Sequence, residues 1–208
     1  MQVIGVLNTK GGVGKTTLAI CLAVRASADA KVAVVDLDPQ SSYSEWYRRR
    51  GSPNNPQLCP DDRASDAIES LLRASDREIV ILDGPPGSLI VTEDAIRSSN
   101  FVVIPIRASG LDIGASRDAI QMCQEIGVPF LVVINAFDQH AGKLVEQTKE
   151  LLKSWGVEVA KTEIRYHNQY VNAITTGHSG PEKDKRCADD IDKLWKEIRA
   201  SMKKAKTR

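Results

Sequence analysis

The chain has 208 residues, of which 42% are hydrophobic and 26% charged, and its formal net charge is +1. That length suits one domain with a sizeable core and leaves little room for a second. The near-neutral balance excludes attraction to nucleic acid or membrane through overall charge, so any such binding must come from a local patch.

Met1 leads almost directly into the apolar run VIGVL (3–7). No basic leader precedes it, so no targeting peptide is expected. Further runs of strand length follow at 31–37, 78–83, 101–106, 129–135 and 157–164. They are rich in Val and Ile and mostly apolar on both faces, as in parallel strands covered by helices on each side. Between them lie helical patterns at 15–28, 41–50, 63–75, 88–98, 112–126 and 140–154. The alternation predicts an α/β fold, a single-domain, doubly wound and mostly parallel sheet flanked by helices, whose ligands bind beyond the carboxyl ends of the strands. Segments 51–62 and 177–186 read as loops from their prolines, glycines and polar turn residues. Strand and helix alternation resumes at once after 51–62, which argues against a domain boundary there. After the second loop, Ile191, Leu194, Trp195, Ile198 and Met202 mark one face of a final helix. No apolar stretch approaches the length of a membrane span.

Cys21, Cys59, Cys123 and Cys187 are isolated and read as reduced, mostly buried thiols of a cytosolic protein. His140, His167 and His178 lie in polar segments without ligand spacing, which suits surface or turn roles.

Chemistry concentrates in NTKGGVGKTTLA (8–19), between the first apolar run and the first helical pattern. Glycines let backbone N–H groups converge on an anion, and a helix beginning at Lys15 adds its positive end. The spacing predicts a phosphate-binding loop in which Gly11, Gly12, Val13 and Gly14 form the cradle. Lys15 reaches the β- and γ-phosphates, Thr16 ligates Mg²⁺ and Thr17 bonds a phosphate. The first glycine of the usual pattern is replaced by Thr9, and a second lysine, Lys10, sits inside the loop.

Two acidic stations follow. VVDLDPQ (34–40) carries Asp36 and Asp38 at a spacing that puts both on one side of an extended strand. IVILDGPPG (79–87) ends a buried strand in Asp83, where a carboxylate can hold Mg²⁺ through water. With the loop, these parts specify phosphoryl-transfer chemistry, with Mg²⁺, a lysine clamp and an aligned water.

KGGVGKTT and DLDPQ resemble the signature-lysine loop and the matching acidic segment of the ParA/MinD superfamily of P-loop ATPases. NQYVNAITTGHS (168–179) resembles the corresponding segment of small, ParF-like ParA proteins. The resemblance implies that Lys10 reaches across a homodimer interface to nucleotide bound by the other subunit. It also implies that Asp38 positions the attacking water, that Asp36 lies near the Mg²⁺ shell, and that Pro39 and Gln40 begin a nucleotide-sensitive switch. Asn135, at the end of FLVVINAF, is an adenine contact in that family; as a residue alone it reads equally as a turn former. In VVIPIRASGLDIGA (102–115), Pro105 is expected to leave the strand and Asp112 to start a helix.

The resemblance further implies ATP-dependent dimerisation, non-specific DNA binding and hydrolysis stimulated by a DNA-bound, ParB-like adaptor. The protein would then be cytoplasmic, nucleoid-associated with ATP, and would segregate a plasmid, chromosome region or other cargo. Large ParA proteins carry an N-terminal helix-turn-helix domain, which this chain, starting at its first strand, is expected to lack. The basic residues nominated for DNA are Arg165, Lys196, Arg199, Lys203 and Lys204, within a C-terminal stretch that also holds Lys193, Lys206 and Arg208. The plain alternative for that stretch is a helix whose bases match its own dipole. Two other functions are weighed: a MinD-like membrane-positioning ATPase, disfavoured because MKKAKTR lacks bulky apolar residues beyond Met202, and a metabolic ligase of the dethiobiotin-synthetase type. The separated cysteines give no support to a cluster-bearing electron carrier.

Overall fold

The computed structural model describes residues 1–108, 114, 116–138 and 141–207. Its centre is one seven-stranded sheet in the order β3-β2-β4-β1-β5-β6-β7. The strands are β1 (Gln2–Val6), β2 (Val32–Asp36), β3 (Gln57–Cys59), β4 (Ile79–Asp83), β5 (Phe101–Ile106), β6 (Phe130–Phe137) and β7 (Ile164–Arg165). Every pairing is parallel. The chain builds leftward from β1, returns to insert β4 beside it, and then builds rightward. The direction of winding therefore reverses at β1, the place where such sheets bind ligands.

Period-two alternation sends each strand's residues into two apolar layers. On one face Ile4, Val6, Val32, Val34, Ile79 and Ile81 pack beneath α1 (Lys15–Ala26), α2 (Ser42–Arg49) and α9 (Lys185–Lys206). On the other, Val3, Leu7, Ala33, Val35, Val80 and Leu82 pack beneath α3 (Ala64–Ala74), α4 (Leu89–Arg97), α5 (Arg117–Ile126) and α6 (Gly142–Ser154). Short helices α7 (Asn168–Asn172) and α8 (Gly180–Lys183) lead into α9.

The final helix buries Ile191, Leu194, Trp195, Ile198 and Met202, the face read from the sequence. Five such side chains contribute on the order of 10 kcal/mol of apolar burial, an upper bound for a chain with a compact unfolded state. Cys21, Cys123 and Cys187 are buried, Cys59 is half-buried, and all four are free thiols. No helix among the described residues is long and apolar enough to cross a membrane.

Four expectations are corrected. Segment 51–62 contains an edge strand, β3, paired to β2 through Ala33–Val35. Segment 157–164 is not a full strand. Val159 makes an isolated bridge to Val132, then the Lys161 and Thr162 amides turn to the Glu197 carboxylate of α9 instead of to β6. Segment 177–186 is largely helical, since α8 occupies it and Asp184 caps α9 by accepting from the Arg186 amide. Pro105 stays in β5, opposite Val133. It is tolerated because its missing N–H falls on the side of β1, past the last ladder pair there, where the Asn8 side chain donates to the Pro105 carbonyl. Asp112, His140 and Arg208 lie outside the described residues.

Candidate nucleotide site

The loop after β1 is built from within. Asn8, fully buried, donates to the Pro105 carbonyl at 2.9 Å and to Ser116 Oγ at 2.8 Å. Its Oδ1 accepts from the Lys10 amide at 2.8 Å, an Asx turn that starts the cradle. The Gly87 amide donates to the Thr9 carbonyl at 2.7 Å, fastening the loop to the segment after β4. Lys15, the first residue of α1, is buried and donates from Nζ to the Lys10 carbonyl at 2.9 Å. Burial pulls its ammonium below the ordinary value, opposed by Asp83 and Asp38. Gly11 and Gly12 are exposed; Thr16 and Thr17 are half-buried in the first turn of α1.

The carboxylates converge as the spacing required. Val32 and Val34 in β2, and Ile79 and Ile81 in β4, face the α1 layer, so Asp36 and Asp83 continue the same rows and stand opposite each other in register. Asp36 accepts from the Ser44 amide at 2.9 Å and Ser44 Oγ at 2.7 Å, which ties it to α2. Asp38 is half-buried and accepts from the Gln40 amide at 2.9 Å. Asp83 is fully buried and neither carboxylate oxygen has a hydrogen-bond partner. Burial pushes its carboxyl well above the usual range and Asp36 adds to this, while the Thr16 hydroxyl and the Lys15 ammonium pull the other way.

Asn135 is buried and donates from Nδ2 to the Val13 carbonyl at 2.7 Å. Ala136, with φ at 51°, makes a bulge in β6 that re-aims the strand at this point. Gly14 has φ at 88°, and a Cβ there would lie 2.4 Å from Asn135 Nδ2. Asn135 thus braces the loop, and it also lines a cleft with Gly14, Thr17, Arg107, Tyr166 and Val171. An amide among apolar and aromatic surfaces suits a planar heterocycle.

The donor set fits a nucleotide with Mg²⁺. Among the described residues no group of three His, Cys, Asp or Glu forms a metal cage. Mg²⁺ does not require one, since it keeps several waters and binds through one or two carboxylates plus phosphate oxygens. The unpartnered Asp83 carboxylate, with Lys15 and Thr16 acting on it, suits that role. A groove of about 830 Å³ between β7 and the start of α9 lies away from the loop and mixes Lys161, Arg165, Arg186 and Lys193 with Asp189 and Asp190.

The nominated basic residues do not form one patch. Arg165 is exposed at the carboxyl end of β7, with its guanidinium over Phe137. Arg199 lies at the opposite pole, stacked on Trp195 and donating to the Gln2 side chain at the start of β1. Lys204 is 3.9 Å from Glu158. Lys196 and Lys203 are exposed and, seven residues apart, share one face of α9.

Comparison with known proteins decides the family. The CobQ/CobB/MinD/ParA nucleotide binding domain matches residues 4–179. The chain belongs to this family. It is a nucleotide-binding ATPase of the ParA/MinD type. Maintenance of carboxysome distribution protein A of Halothiobacillus neapolitanus is 26% identical, covering 94% of this chain and 95% of that protein. The chromosome-partitioning ATPase Soj of Thermus thermophilus is 30% identical over 50% of this chain and 54% of its own. Among solved structures, apo McdA of Cyanothece superposes with a TM-score of 0.76 at 18% identity, covering 97% of this chain and 99% of that one. MinD of Aquifex aeolicus gives 0.75 at 16%, covering 96% and 98%. Both likenesses establish the shared fold.

Some residues that build this ParA/MinD-type site were not evident in the sequence. Asn8 had a signal, a polar residue at the end of an apolar run, two before Lys10. Ser44 on Asp36 and Ser116 on Asn8 had none, because each depends on a partner brought in by the fold.

Proposed function

We propose that the chain is a ParA-type positioning ATPase, in which Mg²⁺-ATP closes a homodimer that holds DNA non-specifically and an adaptor stimulates hydrolysis to release it. ATP brings the phosphates, and Mg²⁺ offsets their charge and aligns them. In this reading the amides of Gly11 to Lys15 and the α1 dipole bind the phosphates. Lys15 exchanges the Lys10 carbonyl for phosphate oxygens, Thr16 and Asp83 hold the metal side with Asp36 behind them, and Asp38 orients the attacking water. Asn135 faces the base.

The observation that carries the dimer is the Lys10–Gly12 stretch. Lys10 lends its amide to Asn8 and its carbonyl to Lys15, beside two exposed glycines that leave room for a second backbone. Lys10 would then serve the partner's phosphates. Ser41, at φ 52° and accepting the Glu45 amide at the start of α2, joins the Asp38 segment to a helix and gives the switch its strained joint. Similarity to the carboxysome distribution proteins spans nearly all of both chains, whereas similarity to Soj spans about half. This supports a bulky intracellular cargo as readily as a plasmid. A MinD-like membrane role is disfavoured, because the apolar face of α9 is spent on the protein core.

The test is binding to non-specific DNA with ATP, ADP or no nucleotide across a salt series. ATP-selective binding that weakens steeply with salt is expected. Binding indifferent to the nucleotide, or an ATP-saturated lone protomer at high concentration, would refute the reading.

A further inference from the structure

Among the described residues, buried side-chain polar atoms without a hydrogen-bond partner occur on Tyr43, Asp83, Thr92 and Thr148. Thr92 and Thr148 sit on α4 and α6, on the far face of the sheet. Tyr43 and Asp83 are on the same face, and they are chemical complements. A phenol is a donor, and an ionised carboxylate is an acceptor only.

Tyr43 is fully buried in the first turn of α2. Its neighbour Ser44 bonds Asp36, and Asp36 stands in register with Asp83 one strand spacing away. The ring cannot swing out. It packs edge-on to Trp46 with centroids 5.1 Å apart, and Trp46 is held by its indole N–H to the His178 carbonyl at 3.0 Å and by the Arg50 guanidinium over its face. A phenol keeps its proton at neutral pH, so the hydroxyl is available as a donor. A phenylalanine would meet every packing demand at this position. A hydroxyl buried without a partner weakens the fold that carries it, so its use lies in another state of the protein.

We propose that Tyr43 is a positioning residue of the nucleotide site: in the loaded protein its hydroxyl donates to Asp83, directly or through one buried water, and fixes which carboxylate oxygen faces the metal. The inference rests on the reading of Asp83 as the metal-side carboxylate.

Tyr43→Phe tests it with two readouts besides turnover. Without nucleotide, the thermal midpoint should stay level or rise. With a fluorescent ADP analogue, affinity in chelator should be unchanged, while the Mg²⁺ concentration for half-maximal binding rises about tenfold, the usual effect of losing a group that orients a metal ligand. In an Asp83→Asn background, Tyr43→Phe should shift the Mg²⁺ dependence by less than about twofold, since the two residues act as one unit. A clear fall in midpoint would mean the hydroxyl already has a structural partner, and would overturn the proposal. So would an unchanged Mg²⁺ dependence, or additive effects in the double variant. A wild-type protein that binds no Mg²⁺-nucleotide would overturn the functional reading as well, which separates the two failures.

Discussion

Asp36 and Asp83 stand opposite each other in register at the carboxyl ends of β2 and β4, yet Asp36 accepts two bonds from Ser44 and Asp83 accepts none. Two carboxylates one strand apart repel, and the unsolvated member carries the cost. The pair is therefore a local loss of stability held in place by the sheet. Phosphoryl-transfer sites make this arrangement because a cation completes it.

Asp83→Asn follows from that imbalance. Removing the charge should leave stability without nucleotide unchanged or raise it by up to about 2 kcal/mol. The same change should weaken nucleotide binding in Mg²⁺ far more than in chelator. Denaturant melts and nucleotide titrations, each with and without Mg²⁺, would read both effects; a large loss of stability would show that the carboxylate serves the fold.

Asp38→Ala separates binding from turnover. Asp38 acts on Lys15 and Asp83, and among the described residues its side chain accepts from the Gln40 amide alone, so its loss leaves the loop and the Asp36–Ser44 contact intact. Nucleotide binding should persist while hydrolysis falls at least about a hundredfold, as for loss of a group that orients the nucleophile. The variant should run as a dimer with ATP in sizing experiments; a monomer would remove the switch.

Gly14 and Gly12 make a matched pair of tests. Both have positive φ, 88° and 74°, but a Cβ at Gly14 meets Asn135 Nδ2 at 2.4 Å whereas one at Gly12 meets nothing within 4 Å. Gly12→Ala should cost about 1 kcal/mol, from backbone strain alone. Gly14→Ala should cost roughly 2–4 kcal/mol, because it also evicts Asn135 from the Val13 carbonyl, and nucleotide affinity should fall with it. Thermal melts of the two variants side by side would settle the difference.

The contrast shows what a sequence carries. Apolar runs fixed the strand positions for β1, β2, β4, β5 and β6, because burial on both faces leaves a periodicity signal. The loop and carboxylates were legible because their chemistry demands specific residues at specific spacings. Glu197 was invisible: in sequence it is one more acid on a charged helix, yet it binds the Lys161 and Thr162 amides and so ends what the sequence promised as a strand. β3 was hidden between Pro56 and Pro60, since a three-residue edge strand has too little length to show a period. In these cases, as for Pro105 and Asn8, the deciding partner lies tens of residues away.

The basic residues predict unequal effects. Lys196 and Lys203 share an exposed face, so Lys196→Glu with Lys203→Glu should weaken DNA binding across all sequences and reduce the salt slope by about 2. Arg199→Ala should chiefly cost stability, because Arg199 packs on Trp195 and bonds Gln2. DNA titrations over a salt series, paired with melts, distinguish the two; an unchanged slope in the double variant would move the DNA surface elsewhere.

Arg50 and Glu182 join α2 to the segment that leads into α9, through two parallel bonds of 2.9 Å. Arg50 also donates to the Gly177 carbonyl at 3.1 Å, and Glu182 accepts from the Ser179 amide at 2.7 Å and hydroxyl at 2.9 Å. Partial burial alone would raise the Glu182 pKa, but the Arg50 guanidinium and the Ser179 donors outweigh it and lower it from 4.5 to about 2. The folded value is depressed, so the carboxylate's contribution is fully present above the unfolded value and is lost as pH falls from about 4.5 towards 2. With the side chains 20% and 31% exposed, solvent screening reduces that contribution to about 1–2 kcal/mol. Glu182→Gln should therefore melt below the wild type at neutral pH, and the two curves should converge as pH falls through that window. Because Ser44 on the same helix holds Asp36, the variant should also loosen the Asp36–Ser44 contact and raise amide exchange in the first turn of α2. Parallel melting curves at all pH values would show that the clamp adds nothing to the fold.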